Sequence, residues 1–299
     1  MFFISIQKIN AYIAAVEAGS ITSAAKQLNY TQSAVSRMVS DLESEWNVSL
    51  LIRNRSGVEI SAEGATLLPI LKMICKDYDN LNYAISELHG VQAGLIRIGS
   101  FSSMSTGWLP KMIKAFNLEY PNIDFELING EYSDIISWIR KGKVDCGFIK
   151  LPTSQDLDAR FLFKDELVAV LPKNHPLSSN PYFPKEALKT EKYIGLKEEQ
   201  DYDISQFLDS LDENIDVRYA VSNDYAVLTM VECGLGISVV HDLILRPNRY
   251  NIVKKPFSPQ QFRDIGIATR KGFTPSTVTA LFLQHAQMWS KDKTNFGER

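Results

Sequence analysis

Six residues in one short stretch, Thr31, Gln32, Ser33, Ser36, Arg37 and Ser40, are small hydroxyls, one amide and one guanidinium. Ser33, Ser36, Arg37 and Ser40 recur at helical spacing and so share a face, with Gln32 beside them in the first turn. Groups of this kind can dock closely on a nucleic-acid duplex: Gln and Arg pair with base edges in the major groove, and Ser contacts phosphates. The positive end of a helix that starts here favours phosphate as well. Taken alone, the stripe also fits a solvated face that happens to be rich in serine. Arg53 and Arg55 follow close behind and could reach the backbone or the minor groove.

A second set of candidates lies far downstream. Ser100-Phe101-Ser102-Ser103 follows an apolar extended run and leads into a helix, where hydroxyls and free N–H groups could cradle an anion or carboxylate. Lys150 follows another such run as a candidate counter-charge, and Ser222-Asn223 ends a third. Ordinary turn and cap serines, and a solvated loop lysine, are the plainer readings. Other chemistry is poorly supported. His89, His175, His241 and His285 are isolated, with no metal-ligand spacing, Gly-rich phosphate loop or nucleophile elbow around them. No catalytic residue, metal site or cofactor is therefore expected. Cys75, Cys146 and Cys233 are scattered and form no CxxC pair, which suits small buried thiols in a reducing cytoplasm. The opening MFFISI carries no basic leader, and no apolar run is long enough to span a membrane.

The first candidate set is positioned by a compact run of elements. Ile9, Tyr12, Ile13 and Val16 predict a helix over residues 7–18, stopped by Gly19. Ser20 is placed to cap a short helix carrying Ala24, Ala25 and Leu28, and Thr31 to cap a third helix running to about Trp46. Val35, Met38, Val39 and Leu42 give that third helix its apolar stripe. Two short extended stretches, 50–53 and 58–61, then make a hairpin around Asn54–Gly57. The sum is a winged helix-turn-helix. Charge alone does not disclose it: Lys8, Lys26, Arg37, Arg53 and Arg55 are offset by Glu17, Asp41, Glu43, Glu45 and Glu59, and the whole chain carries −3.

The stretches AVEAGSITSAAKQLNYTQSAVSRMVSDLE and SLLIRNRSGVEISAEGATLLP resemble the DNA-binding module of LysR-type transcriptional regulators, a gap-free match over Ala11–Gly64. Leu51 stands where the family usually has an aromatic residue, and Arg55 where the second wing arginine is usually nearer Ser56, so the wing contact departs from the pattern. The resemblance implies a regulator that binds promoter DNA and senses a small molecule. It further implies that residues matching Ser100, Ser102 or Ser103 contact effector, that a linker helix pairs two chains, and that dimers assemble into a tetramer.

At 299 residues, with 45% hydrophobic and 22% charged residues, the chain has material for two or three domains. Leu71, Ile74, Tyr78, Leu81, Ile85 and Leu88 form a heptad seam on a helix from Ser61 to about Leu88, with Pro69 expected to kink it beforehand. From about Leu95, strands alternate with helices, which predicts an α/β unit with a mostly parallel sheet. Its two-lobed arrangement resembles a periplasmic-binding-protein fold, with ligand beyond the carboxyl ends of the strands. The expected organisation is a winged helix-turn-helix over 1–61, a dimerising linker over 62–89, and an effector-binding domain over 90–299. In that domain, lobe I takes about 90–165 and 266–299, and lobe II about 166–265. A solute-binding protein, or an enzyme with a fused DNA-binding domain, is the competing class.

Overall fold

A computed structural model describes residues 5–54, 57–88, 93–196, 202–211, 215–246 and 249–292. Arg55, Ser56 and residues 89–92 lie outside the described residues. The chain divides into two compact units, the first up to Ala93 with Lys141–Lys143, the second Gly94–Arg140 with the chain from Val144 onward.

The first unit opens with α1 (Ile6–Ala18), α2 (Ile21–Leu28) and α3 (Gln32–Trp46). Each turn between them is made by a residue in the left-handed region, Gly19 (φ 58°) and then Asn29 (φ 57°). Ser20 and Thr31 accept backbone N–H groups of the helices they precede. Ile9, Tyr12, Ala24, Val35, Val39 and Leu42 close a dry core, and Ala24 and Ala25 let the helices approach closely. Strands β1 (Leu51–Asn54) and β2 (Gly57–Ile60) then pair antiparallel as the wing.

The wing is pinned at both ends. The carboxylate Oε1 of Glu43 on α3 accepts the N–H groups of Leu50 and Leu51 at 2.8 and 3.1 Å. At the other end the Val58 N–H donates to the Gly19 carbonyl at 3.0 Å. That approach needs glycine at position 57: φ is +144°, and a Cβ there would stand 2.4 Å from the Gly19 carbonyl oxygen. Gly57→Ala is expected to destabilise the first unit by about 1–3 kcal/mol in a denaturant titration. An unchanged midpoint would show that the wing is not fixed through this contact.

The long helix α4 (Ala62–Leu88) follows, with the Ser61 hydroxyl accepting the Gly64 N–H at 2.8 Å, and it continues as one helix through Pro69. Its heptad seam is divided. Leu71 is buried and Ile74 packs against the first unit's core, whereas Tyr78, Leu81 and Ile85 are exposed.

The second unit is built on a six-stranded sheet in the order β4 (Asn122–Asn129), β3 (Ala93–Ser100), β5 (Cys146–Leu151), β10 (Ile252–Arg270), β6 (Leu157–Pro172), β9 (Ser238–His241). Only part of it is parallel. β3 and β5 run together, but β10 is antiparallel to both β5 and β6, and β6 to β9. The expectation of a mostly parallel sheet is thereby corrected. Its cause is the length of β6 and β10, 16 and 19 residues, each read in the sequence as only its short apolar end. Polar residues over Asp158–Arg160 and Lys164–Glu166, and the prolines at 256 and 259, hide the remainder.

Helices α5 (Ser102–Gly107) and α6 (Leu109–Glu119) follow β3; the break between them falls at Trp108, with Pro110 opening the second helix. α7 (Tyr132–Arg140) and α10 (Thr277–Lys291) complete the first half, around a core of Trp108, Phe116, Phe148 and Phe282. In the second half β7 (Tyr193–Leu196) pairs in parallel with β8 (Val217–Val221), accompanied by α8 (Tyr202–Asp209) and α9 (Asp224–Glu232). Separate apolar clusters around Phe183 and Phe257, and around Val227 and Val231, hold it together. The cores of the halves divide along β6 between Phe163 and Leu167, so both long strands cross from one half to the other.

Candidate functional site

On α3, Thr31, Gln32, Ser33, Arg37 and Ser40 are exposed and Ser36 is half-buried. The Thr31 hydroxyl caps the helix by accepting the Ala34 N–H at 3.2 Å, and lies 3.1 Å from the Ser33 hydroxyl. Arg53, expected to reach the backbone or the minor groove, lies against α3. Its Nη1 donates to Ser36 Oγ at 3.0 Å and its Nη2 to Ser40 Oγ at 2.9 Å. The wing thus lays a second guanidinium on the same helix face as Arg37. Other basic groups are spent elsewhere: Lys8 pairs with Asp41 and Glu45, and Lys72 with Glu17. A segment of zero net charge therefore still presents one basic, hydroxyl-rich face. Arg55 lies outside the described residues.

In the second unit a cavity of about 270 Å³ opens between the halves. Ser102 and Ser103 line it from the start of α5, and Ser222 and Asn223 from the end of β8. Asn223 also caps α9, its Oδ1 accepting the Tyr225 and Ala226 N–H groups at 2.9 and 3.2 Å. Ser100 and Lys150 are not among the lining residues. Ser100 is the last residue of β3 and fully buried. Lys150 lies within β5, paired with Ile265, rather than beyond the strand's end.

The cavity's centre is a residue that spacing did not point to. Arg263 on β10 stands opposite Asp165 on β6, where the long strands cross between the halves. Nε and Nη2 of Arg263 donate to Asp165 Oδ2 at 3.0 and 2.7 Å, Nη2 also to Ser103 Oγ at 3.1 Å, and Nη1 to the Tyr132 hydroxyl at 2.9 Å. The Phe101 ring lies 5.0 Å from the guanidinium. Asp165 Oδ1 accepts the Leu243 N–H at 2.9 Å. Burial pushes the Asp165 carboxyl up against the pull of Arg263.

Glu131, Asp224, Tyr225 and His241 also line the cavity. Burial holds the His241 imidazole well below its usual value, helped by the charges of Arg263 and Lys150, so it is neutral. Burial raises the Asp224 carboxyl, with Arg263 opposing. The Tyr225 hydroxyl donates to Thr106 Oγ1 on α5, a direct bond between the halves. Among the described residues no group of His, Cys, Asp and Glu could hold a metal ion, and no helix is long and apolar enough to cross a membrane.

The sequence of the bacterial regulatory helix-turn-helix protein, lysR family, matches residues 6–65, and that of the LysR substrate binding domain matches residues 89–290. The HTH-type transcriptional regulator YvbU of Bacillus subtilis is 27% identical over 289 residues, covering 95% of this chain and 98% of that protein. Full-length OxyR from Pseudomonas aeruginosa superimposes with a TM-score of 0.74 at 19% identity, covering 96% of each chain. Full-length CbnR complexed with its target DNA does so at 0.69 and 17% identity, covering 95% of this chain and 99% of that one. With both matches in chain order and together spanning most of its length, the chain belongs to the LysR family of transcriptional regulators, with an N-terminal helix-turn-helix and a C-terminal effector-binding domain.

Proposed function

We propose that the α3 face reads promoter DNA and that the cavity between the halves of the second unit receives the effector. The observation that carries the first part is the convergence of Gln32, Ser33 and Arg37 with the Arg53–Ser36–Ser40 cluster on one exposed helix face. Gln32 and Arg37 supply base-edge pairing; Thr31, the serines and Arg53 position the backbone. CbnR, whose full-length structure holds its target DNA, supports DNA binding by a chain of this fold. For the second part, four hydroxyl or amide residues and a neutral histidine surround Arg263 at a crossing of strands between two halves. The Tyr225–Thr106 bond spans the same cleft. A ligand that prefers one spacing of the halves would shift the populations of the two states, and with them promoter affinity.

The chain acts as a homodimer through α4, and a tetramer of paired dimers is the larger assembly. It works in the cytoplasm and turns over no substrate. The domain limits we assign are 1–61, 62–89 and 90–299, with lobe I about 90–165 and 266–299 and lobe II about 166–265.

The test is a salt-dependent binding titration on the duplex upstream of its own gene, with an unrelated duplex as control. A preference of about 10³-fold or more is expected. Equal, steeply salt-sensitive affinity for both duplexes would contradict sequence reading. Within that assay, Arg37→Ala is expected to cost about 1–3 kcal/mol on the promoter and much less on the control duplex. Equal losses on both would reassign Arg37 to phosphate contact.

A further inference from the structure

We propose that the cavity takes a small organic cation, a metabolite of about amino-acid size carrying a protonated amine, in preference to a simple carboxylate. This rests on the cavity being the effector site and follows from how its charged and polar groups are placed. Arg263, which would be the obvious partner for an anion, already faces Asp165 through two of its nitrogens and donates to Ser103 and Tyr132. Asp165 is held in turn by the Leu243 N–H. The two form a neutral buried unit, and an incoming carboxylate would have to take the guanidinium from a carboxylate that cannot reach water. His241 contributes no charge, because burial first and then Arg263 and Lys150 keep its imidazole neutral.

The remaining charged groups on the wall are Glu131, just before α7 in one half, and Asp224, first residue of α9 in the other. A carboxyl group thus stands on each half of the wall, while the guanidinium is engaged by Asp165. Burial disfavours the ionised form of Asp224, and a cation beside it restores that form. An ammonium brings three donors and no acceptor. The wall offers acceptors to meet it in the carboxylates of Asp224 and Glu131 and the hydroxyls of Ser102 and Ser222. Phe101, Leu196 and Ile244 leave room for a short apolar stem. At about 270 Å³ the cavity is of a size for a small metabolite. Plain amines and zwitterionic amino acids share the ammonium, and the experiment separates them.

The full-length protein is melted in the presence of the twenty amino acids, putrescine and cadaverine, and in parallel with succinate and benzoate, which lack an amine. Stabilisation by at least one amine-bearing compound is expected, with binding followed by calorimetry. A preference for putrescine would mark a plain amine, and a preference for an amino acid a zwitterion. In Asp224→Asn the affinity for that compound is expected to fall by about tenfold or more, and in Glu131→Gln by a smaller factor. The melting point of each unliganded variant shows whether it is folded. Stabilisation confined to succinate or benzoate, or by none of the compounds, overturns the proposal, as does full amine affinity in a folded Asp224→Asn variant. An amine that binds but leaves promoter affinity unchanged would support the ligand class and count against the cavity as effector site.

Discussion

Arg263→Met is expected to lower the stability of the second unit by about 3–5 kcal/mol, because it leaves the buried Asp165 carboxylate without its cation. Arg263 is 6% exposed and Asp165 4%, so water cannot take the place of the guanidinium. The loss spreads further, since Ser103 and the Tyr132 hydroxyl give up their donor at the same time. Asp165→Asn should cost a comparable amount by stranding Arg263. The double variant Arg263→Met/Asp165→Asn is expected to recover much of the loss, since a neutral pair of similar shape carries no desolvation debt. Chemical denaturation of all three separates this from simple packing loss. Additive losses in the double variant would mean that the two residues act independently.

The same pair shows why the candidate site was only partly legible in the sequence. Arg263 and Asp165 are 98 positions apart and meet only because β6 and β10 run antiparallel across both halves. Nothing local marks either residue: Asp165 sits in a run of charges, and Arg263 follows a proline-bearing stretch that reads as loop. Two charged residues opposite each other on long strands would have been a usable signal once the register was known. His241 was visible only as one isolated histidine, and its place in the cavity follows from β9 pairing with β6.

Where the determinants are local, the sequence was far more informative. Thr31 and Ser20 cap the helices they precede, and Gly19 and Asn29 end the ones before them, each through contacts within a few residues. The rule that ligands gather beyond strand ends led to Ser102, Ser103, Ser222 and Asn223, all on the cavity wall. Ser100 and Lys150 came from the same rule applied to strand ends placed one or two residues early. Both lie inside strands, and the period of two turns a small boundary error into a different environment. Arg53 shows a further limit, since a wing arginine can lie back on the helix beside it, and spacing alone does not distinguish the two.

A variant carrying Leu81→Glu and Ile85→Glu is expected to lose the pairing of chains through α4 while each unit keeps its fold. The heptad seam of α4 divides into a packed part and an exposed part. Leu71 is 4% exposed and Ile74 packs on the helix-turn-helix core, so the first part of the seam is satisfied within the chain. Tyr78, Leu81 and Ile85, at 45%, 55% and 44% exposed, are not covered by this chain, and they continue the same stripe. A stretch this short is weak as an isolated coiled coil, so the helix-turn-helix core that fixes its first turns must hold it ready for pairing. Leu81 and Ile85 from two chains place four side chains in the interface, each worth about 1.5–3 kcal/mol when buried. Even the low end of that range, about 6 kcal/mol, weakens dimerisation by roughly four orders of magnitude. Sedimentation velocity at micromolar concentration would read this as a halved mass, with an unchanged melting point for the first unit. Promoter affinity should fall with it, since one α3 face reads only one half of a dyad site. A variant that keeps the mass of the unaltered protein would place the pairing surface elsewhere on the chain. In that case the exposed stripe would need another partner, because three large apolar side chains in line on one helix face are not a surface that water favours.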